Sequence, residues 1–278
     1  MTQPIDLFPE TPREHYRRVP LVQVICQLRF PKLLRIESAP PADFQDRVRG
    51  QFPLMQRENP IPFEFPPEIA QFVQQRSASG TFQFMTEDKN YTIGLNSDSI
   101  SLTAVQYTRW EIFLEHLEPS LAALNEIYKP SFFSRAGLRY QDAIVRSDLG
   151  LTEIPWSELL RRELLAELSL PEFEASLDAI ATRVLRLKIP DSSGSILLRH
   201  GLAQIPGKTE LSYAVDWDFF TESKTEVNNA INTLTRFNRL AGRAFRWCIT
   251  EKLRAALDPN TTLIRRTSAV FPMTVRMR

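Results

Sequence analysis

The chain has 278 residues, of which 43% are hydrophobic and 24% are charged, as is ordinary for a soluble globular protein. Its 34 basic and 33 acidic residues leave a formal net charge of +1, which argues against a protein held to nucleic acid or to an anionic membrane by bulk charge. Only Cys26 and Cys248 are present. We therefore expect buried free thiols without a disulfide framework, as is typical of a reducing compartment.

The N-terminal residues contain no apolar signal-peptide segment, and no run of about 18 apolar residues follows. The sequence therefore predicts a cytoplasmic protein with no membrane partner. Residues 1–20 include four prolines and are predicted to form an extended arm, which would drape over its own domain or over a neighbouring subunit. Residues 260–278 are predicted to form a basic, extended tail.

Between these ends, strand and helix patterns alternate along the chain. The predicted strands cover residues 22–30, 81–86, 91–95, 99–106, 136–145, 175–189, 194–204 and 210–220. Helices are predicted at residues 42–52, 109–128 and 155–168. Thr108 and Glu111 fit a capping box that opens the second of these helices, and Pro119 should kink or restart it.

The longest predicted element is a helix over residues 223–257, opened by a second capping box at Ser223 and Glu226. Placed at 100° per residue, its residues form an apolar arc and an opposite arc that carries five arginines. We call these five the arginine stripe: Arg236, Arg239, Arg243, Arg246 and Arg254.

A charged helix face is usually the solvated face, but two features of this one favour a partner surface. Every basic residue in the stripe is arginine, which suits bidentate recognition of carboxylate or phosphate. Trp247 borders the stripe, and tryptophan is a frequent interface anchor. We predict that the stripe and Trp247 bind a protein partner, either an acidic protein or a second copy in a homodimer.

The order of the predicted elements suggests an internal duplication. Strand, helix, three strands and long helix occur twice, and the opening strands share the related segments QLRF (27–30) and GLRY (137–140). We predict an α+β fold made of two tandem β-α-β-β-β-α units, residues 21–130 and 131–259, with an antiparallel sheet covered by long amphipathic helices. In shape this resembles TATA-binding-protein-like and helix-grip architectures, a likeness that says nothing about function.

Several segments together resemble a sporadically distributed, functionally uncharacterised prokaryotic protein family. They are VPLVQVICQLRFPKLLRI, YTRWEIFLEHLEPSLAALNEIY, FFSRAGLRYQDAI, LLRHGL and FRWCITEKLRAALDP. The resemblance covers most of residues 20–259, although the family typically has Asn where Asp142 stands and usually lacks Pro119. It implies the fold and the compartment but brings no activity with it. A sporadic distribution is similar to that of mobile or defence-associated genes.

Known catalytic signatures are missing from the sequence. It contains no glycine-rich phosphate loop and no metal-ligand spacing, so we predict no cofactor and no metal site. One polar group on predicted strands is a candidate site: Arg139, Asp142, His200, Asp216 and Asp218. Two carboxylates and a histidine can serve acid–base chemistry, but the alternatives are a sheet face cross-paired with arginine and, for the histidine, a position in the core.

Arg29 and Arg139 occupy equivalent positions in the two predicted units. Each could form an ion pair with the long helix of its own unit, or the two could form a symmetric anion or partner site.

Taken together, these patterns favour a non-enzymatic protein-binding or regulatory module that is oligomeric. One alternative is a nucleic-acid-binding protein that uses the sheet or the arginine stripe, helped by the basic tail. The other is a small-ligand receptor or enzyme with a cavity between sheet and long helix, with Asp216, Asp218 and His200 at its mouth.

Overall fold

The structure is a computed structural model that describes residues 7–58, 81–170, 172–173, 181–190, 193–204 and 210–260. The strands are β1 (His15–Tyr16), β2 (Leu21–Arg29), β3 (Leu54–Glu58), β4 (Thr81–Met85), β5 (Tyr91–Leu95), β6 (Ser99–Ala104), β7 (Arg135–Ile144), β8 (Ala181–Lys188), β9 (Ser195–Gln204), β10 (Leu211–Thr221) and β11 (Pro259–Asn260). The helices are α1 (Leu34–Ser38), α2 (Ala42–Val48), α3 (Trp110–Tyr128), α4 (Trp156–Leu159), α5 (Arg162–Leu165), α6 (Ala230–Cys248) and α7 (Glu251–Ala256).

Nine strands form one antiparallel sheet, in the order β3-β4-β5-β6-β2-β7-β10-β9-β8. The central pair is β2 with β7, in which Cys26 lies opposite Leu138. From each member of this pair a three-strand meander runs outward, and β3 adds an edge strand on one side only. The prediction of an α+β fold with a large antiparallel sheet is confirmed. No helix in the described part of the chain is long and apolar enough to cross a membrane.

All the longer helices pack against the same face of this sheet, which we call the helix face. Tyr91 of β5 stacks on His116 of α3, with ring centroids 3.8 Å apart. The hydroxyl of Tyr140 on β7 donates a hydrogen bond to Asn238 of α6 at 2.8 Å. In β10 the alternate residues that face the helices, from Tyr213 to Phe219, are buried, as their alternation predicted.

The prediction of a single helix over residues 223–257 is wrong in two respects. The helix begins later than predicted, and it is interrupted. Thr225 pairs with Phe133 through two backbone hydrogen bonds, so α6 begins only at Ala230, and Ser223 does not cap it. Ile249 is extended and forms a β-bridge with Leu160, which ends α6 and separates it from α7. These pairings with distant residues satisfy backbone groups that a continuous helix would otherwise have used.

Of the two predicted effects of Pro119, the restart is wrong, because α3 runs through it to Tyr128. Proline has no N–H to donate to the carbonyl of residue i−4, here Glu115. The side-chain amide of Gln51 donates to that carbonyl instead, at 3.4 Å. Thr108 is not the cap of this helix either, since Arg109 occupies the N-cap position without a side-chain hydrogen bond.

The observed and predicted caps can be separated by mutation. Thr250 caps α7, because its hydroxyl oxygen accepts from the Leu253 N–H at 3.3 Å and its O–H donates to the Glu158 carbonyl at 2.7 Å. We expect Thr250→Ala to lower the free energy of unfolding by about 1 kcal/mol, whereas Ser223→Ala should change it by less than about 0.5 kcal/mol. Urea denaturation of the two variants measures both values, and equal losses would contradict this assignment of the caps.

Candidate functional site

The sheet carries a cluster of charged residues on the side opposite the helices, which we call the open face. Successive residues of a strand alternate between faces, so Arg139, Asp216 and Asp218 share the open face. No helix in the described ranges packs on this side of the central strands. The open face therefore holds three of the five residues of the predicted polar site.

On the open face, arginines from neighbouring strands pair with the two aspartates of β10. Arg139 donates to both carboxylate oxygens of Asp216, at 2.7 and 2.6 Å, and Arg199 donates to the same carboxylate at 3.2 Å. Arg135 donates to both oxygens of Asp218, at 3.0 and 2.8 Å. The predicted alternative, a sheet face cross-paired with arginine, describes this geometry.

Arg199, which precedes His200 on its predicted strand, belongs to this cluster as well, and so does Arg135, which was missed from the sequence. The side chain of Arg135 lies across Gly137, where an added Cβ would come within 2.8 Å of its Cζ atom. The glycine therefore leaves room for the guanidinium to reach Asp218. The sequence did contain a signal for Arg135. Arg135, Gly137 and Arg139 follow one another at intervals of two residues, so all three lie on one side of β7.

The other two residues of the predicted polar site lie on the helix face, so the sheet itself divides the site. Asp142 and His200 both flank Val215 in the strand register, and both are buried. Nδ1 of His200 lies 2.9 Å from the hydroxyl oxygen of Tyr213. The histidine is therefore a satisfied core residue, and a cavity with Asp216, Asp218 and His200 together at its mouth is not formed.

Burial sets the ionisation of these two core residues. It raises the pKa of Asp142 to about 7, with a further contribution from the negative charge of Asp216. It lowers the pKa of His200 to about 4, with a further contribution from the positive charge of Arg183. The carboxyl of Asp142 makes no hydrogen bond with the residues that the structure describes, although it is only 7% exposed.

The arginine stripe on α6 and α7 has an acidic partner within the same chain, the N-terminal arm of residues 7–18. Arg243 donates to Glu10 at 2.6 Å. Arg254 donates through Nε to both carboxylate oxygens of Glu14, at 3.0 and 2.9 Å. These hydrogen bonds from Arg254, together with the smaller one from Tyr16, hold the pKa of Glu14 below its ordinary value.

Aromatic residues anchor the same arm. Phe8 is 4% exposed and lies between two tryptophans, with ring centroids 5.6 Å from Trp217 and 5.8 Å from Trp247. Near the other end of the arm, β1 pairs with β11, and Tyr16 packs edge-on against Phe245. Of the two predicted positions for the arm, the structure shows it on its own domain.

The remaining stripe residues differ in their surroundings. Arg246 pairs with Glu251 and lies 4.0 Å from Glu14. The guanidinium of Arg236 lies over the ring of Phe237, and Arg239 is exposed. The arm therefore engages the half of the stripe that is nearer to the end of α6.

Comparison with known proteins does not place this chain in a family. The chain matches no protein-family model, and no curated protein is similar to it. Membership of the resembling prokaryotic family therefore stays a prediction. Within the described ranges, no group of three or more His, Cys, Asp or Glu side chains is arranged to hold a metal ion.

Proposed function

We propose that this protein is a non-enzymatic protein-binding module whose arginine stripe binds an acidic, extended segment. The observation that supports this most directly is the arm, which presents Glu10 and Glu14 to Arg243 and Arg254 and inserts Phe8 beside Trp247. Charged hydrogen bonds fix the position of such a segment, and a buried aromatic residue supplies affinity.

We further propose that the segment bound in the assembled protein is the arm of a second copy. Exchange of identical arms between two chains would keep every contact of the closed chain and give a twofold-symmetric homodimer. The arm connects to β2 through Val19 and Pro20, which form a short hinge. The same surface would take an acidic segment of another protein if that segment competed with the arm.

The two-unit organisation belongs to this proposal as well. The pairing order runs outward from β2 and β7 in the same way on both sides, which supports a duplicated β-α-β-β-β-α unit of the TATA-binding-protein-like or helix-grip kind. The stripe occurs on the second unit alone, although Arg13 of the arm also pairs with Glu111 in the first unit. The duplication would thus have left the stripe to one of two similar helices.

Charge reversal in the full chain tests the exchange of arms. Glu14→Arg and Arg254→Glu each place like charges where the arm meets its own domain, so we expect each variant alone to remain monomeric. Mixed in equal amounts, each arm meets an opposite charge only on the other chain, and we expect a heterodimer of twice the monomer mass. Light scattering after size-exclusion chromatography measures the mass over a range of protein concentrations, with wild type dimerising as concentration rises.

Arg162→Glu is the matched control, because it reverses an exposed arginine outside the stripe and should leave assembly unchanged. A mixture that stays monomeric, alongside a monomeric wild type, would show that the arm closes only on its own chain. Dimers that persist in both single variants would place the interface elsewhere.

A further inference from the structure

Two arginines lie side by side on the open face, at the end of the central strand pair. Arg29 of β2 is opposite Arg135 of β7 in the register, and both side chains share the side of the sheet that carries Arg139. Arg135 is 6% exposed and pairs with Asp218. Arg29 makes no ion pair with any residue that the structure describes.

The two aspartates of the open face are both paired with arginines other than Arg29. Asp218 accepts two hydrogen bonds from Arg135, and Asp216 is shared by Arg139 and Arg199. Arg186, in line with Asp218 on the same face, pairs with Glu222. These three carboxylates are thus engaged by other arginines. Like charges directly opposite each other in a sheet are destabilising, so Arg29, which has no ion pair of its own among the described residues and lies opposite Arg135, requires an explanation.

Burial lowers the pKa of Arg29, and the positive charge of Arg135 lowers it further. Asp98, Asp218 and Glu222 oppose these effects with smaller contributions. None of these carboxylates lies within ion-pair distance of Arg29, so the guanidinium keeps its donors available.

The neighbouring guanidinium also has a spare donor. Nε of Arg135 is buried without a hydrogen-bond acceptor among the described residues. The ring of Phe220 lies 4.9 Å from Cζ of Arg135 and 5.2 Å from Cζ of Arg186, so it holds the Arg135 plane in place. An arginine without an ion pair, opposite a buried arginine with an unused N–H, offers donors that suit a planar or tetrahedral oxyanion.

We infer that the open face binds an oxyanion, the phosphate or carboxylate group of a small ligand, with Arg29 as its principal donor and Arg135 beside it. The anion would supply the partner that Arg29 lacks among the described residues. This site lies on the opposite side of the sheet from the arginine stripe, so it does not depend on the arm or on the proposed partner.

Thermal unfolding of the full chain with inorganic phosphate, with acetate or with chloride at equal ionic strength tests the site. We expect one of the two oxyanions to raise Tm by about 3 °C at roughly ten times its Kd. A response to phosphate alone assigns a phosphate group, and a response to acetate assigns a carboxylate. No response beyond that to chloride would overturn the proposal.

Arg29→Gln separates a binding role from a structural one. It removes an uncompensated charge, so we expect it to raise Tm without the anion and to abolish the anion-dependent rise. Arg49→Gln, which removes an exposed arginine beside α2, should keep the wild-type response. An Arg29→Gln variant that unfolds at a lower temperature than wild type, or that retains the response, would contradict the inference.

Discussion

Replacing Asp142 with asparagine is expected to stabilise the protein on the order of 4 kcal/mol more at pH 8 than at pH 4. The carboxyl is buried, and its pKa rises from 3.8 in the unfolded chain to about 7 in the folded one. Between these pH values the unfolded chain releases the proton while the folded chain retains it. The wild-type carboxyl therefore costs stability progressively as pH rises from 4 to 7, and asparagine removes that cost.

His200 has the opposite effect on how stability changes with pH. Its pKa falls from 6.5 in the unfolded chain to about 4 in the folded one, so stability is lost as pH falls through this range. In wild type the two trends offset each other between pH 4 and 6.5. In Asp142→Asn only the histidine trend remains, so this variant should lose stability in acid more steeply than wild type.

Urea denaturation at several pH values measures both effects. Glu153→Gln serves as the control, because it replaces a carboxyl group that is exposed rather than buried. A stabilisation by Asp142→Asn that is the same at pH 4 and pH 8 would show that Asp142 titrates normally.

Gly137→Ala should destabilise the protein by about 3 kcal/mol, because the new methyl group displaces the Arg135 guanidinium from its buried pair with Asp218. The backbone at Gly137 is ordinary strand, so the cost comes from this contact and not from a conformation that only glycine adopts. Chemical denaturation measures the loss, and circular dichroism confirms that the variant is folded.

A double-mutant cycle identifies the cause of that loss. In an Arg135→Met, Asp218→Leu background the guanidinium and its partner are both absent, so adding Gly137→Ala should cost less than about 1 kcal/mol. Gly50→Ala is the matched control, because an added Cβ there has no neighbour within 4 Å. A full 3 kcal/mol loss in the double-variant background would mean that Gly137 is required for another reason.

The strands were the most predictable part of the fold, since a period of two residues is a local property of the chain. Leu211–Thr221 alternates in the sequence as it does in the structure, and its apolar residues at every second position from Tyr213 to Phe219 lie against the helices. The edge strand Leu54–Glu58 was missed, because its segment LMQRE has no alternation that separates it from the proline-rich residues around it.

Pairing between distant segments was not predictable from local pattern. The helical periodicity of residues 223–257 is continuous, yet Thr225 and Ile249 leave the helix to pair with Phe133 and Leu160. The predicted polar site failed for a simpler reason. Arg139 and Asp142 are three residues apart on one strand and therefore point to opposite faces, a rule of parity that the sequence already contained.

The arm has a further consequence through the order in which the chain is made. Glu14 precedes its partner Arg254 by 240 residues, so a ribosome releases the arm long before its docking surface exists. Closing so long a loop has an entropic cost, and the contacts that offset it form only after the sheet and helices have folded. The arm is thus the last element to dock during synthesis. Under the proposed exchange of arms, its acidic residues would until then be available to a chain that has already been completed nearby, and assembly would begin at translation.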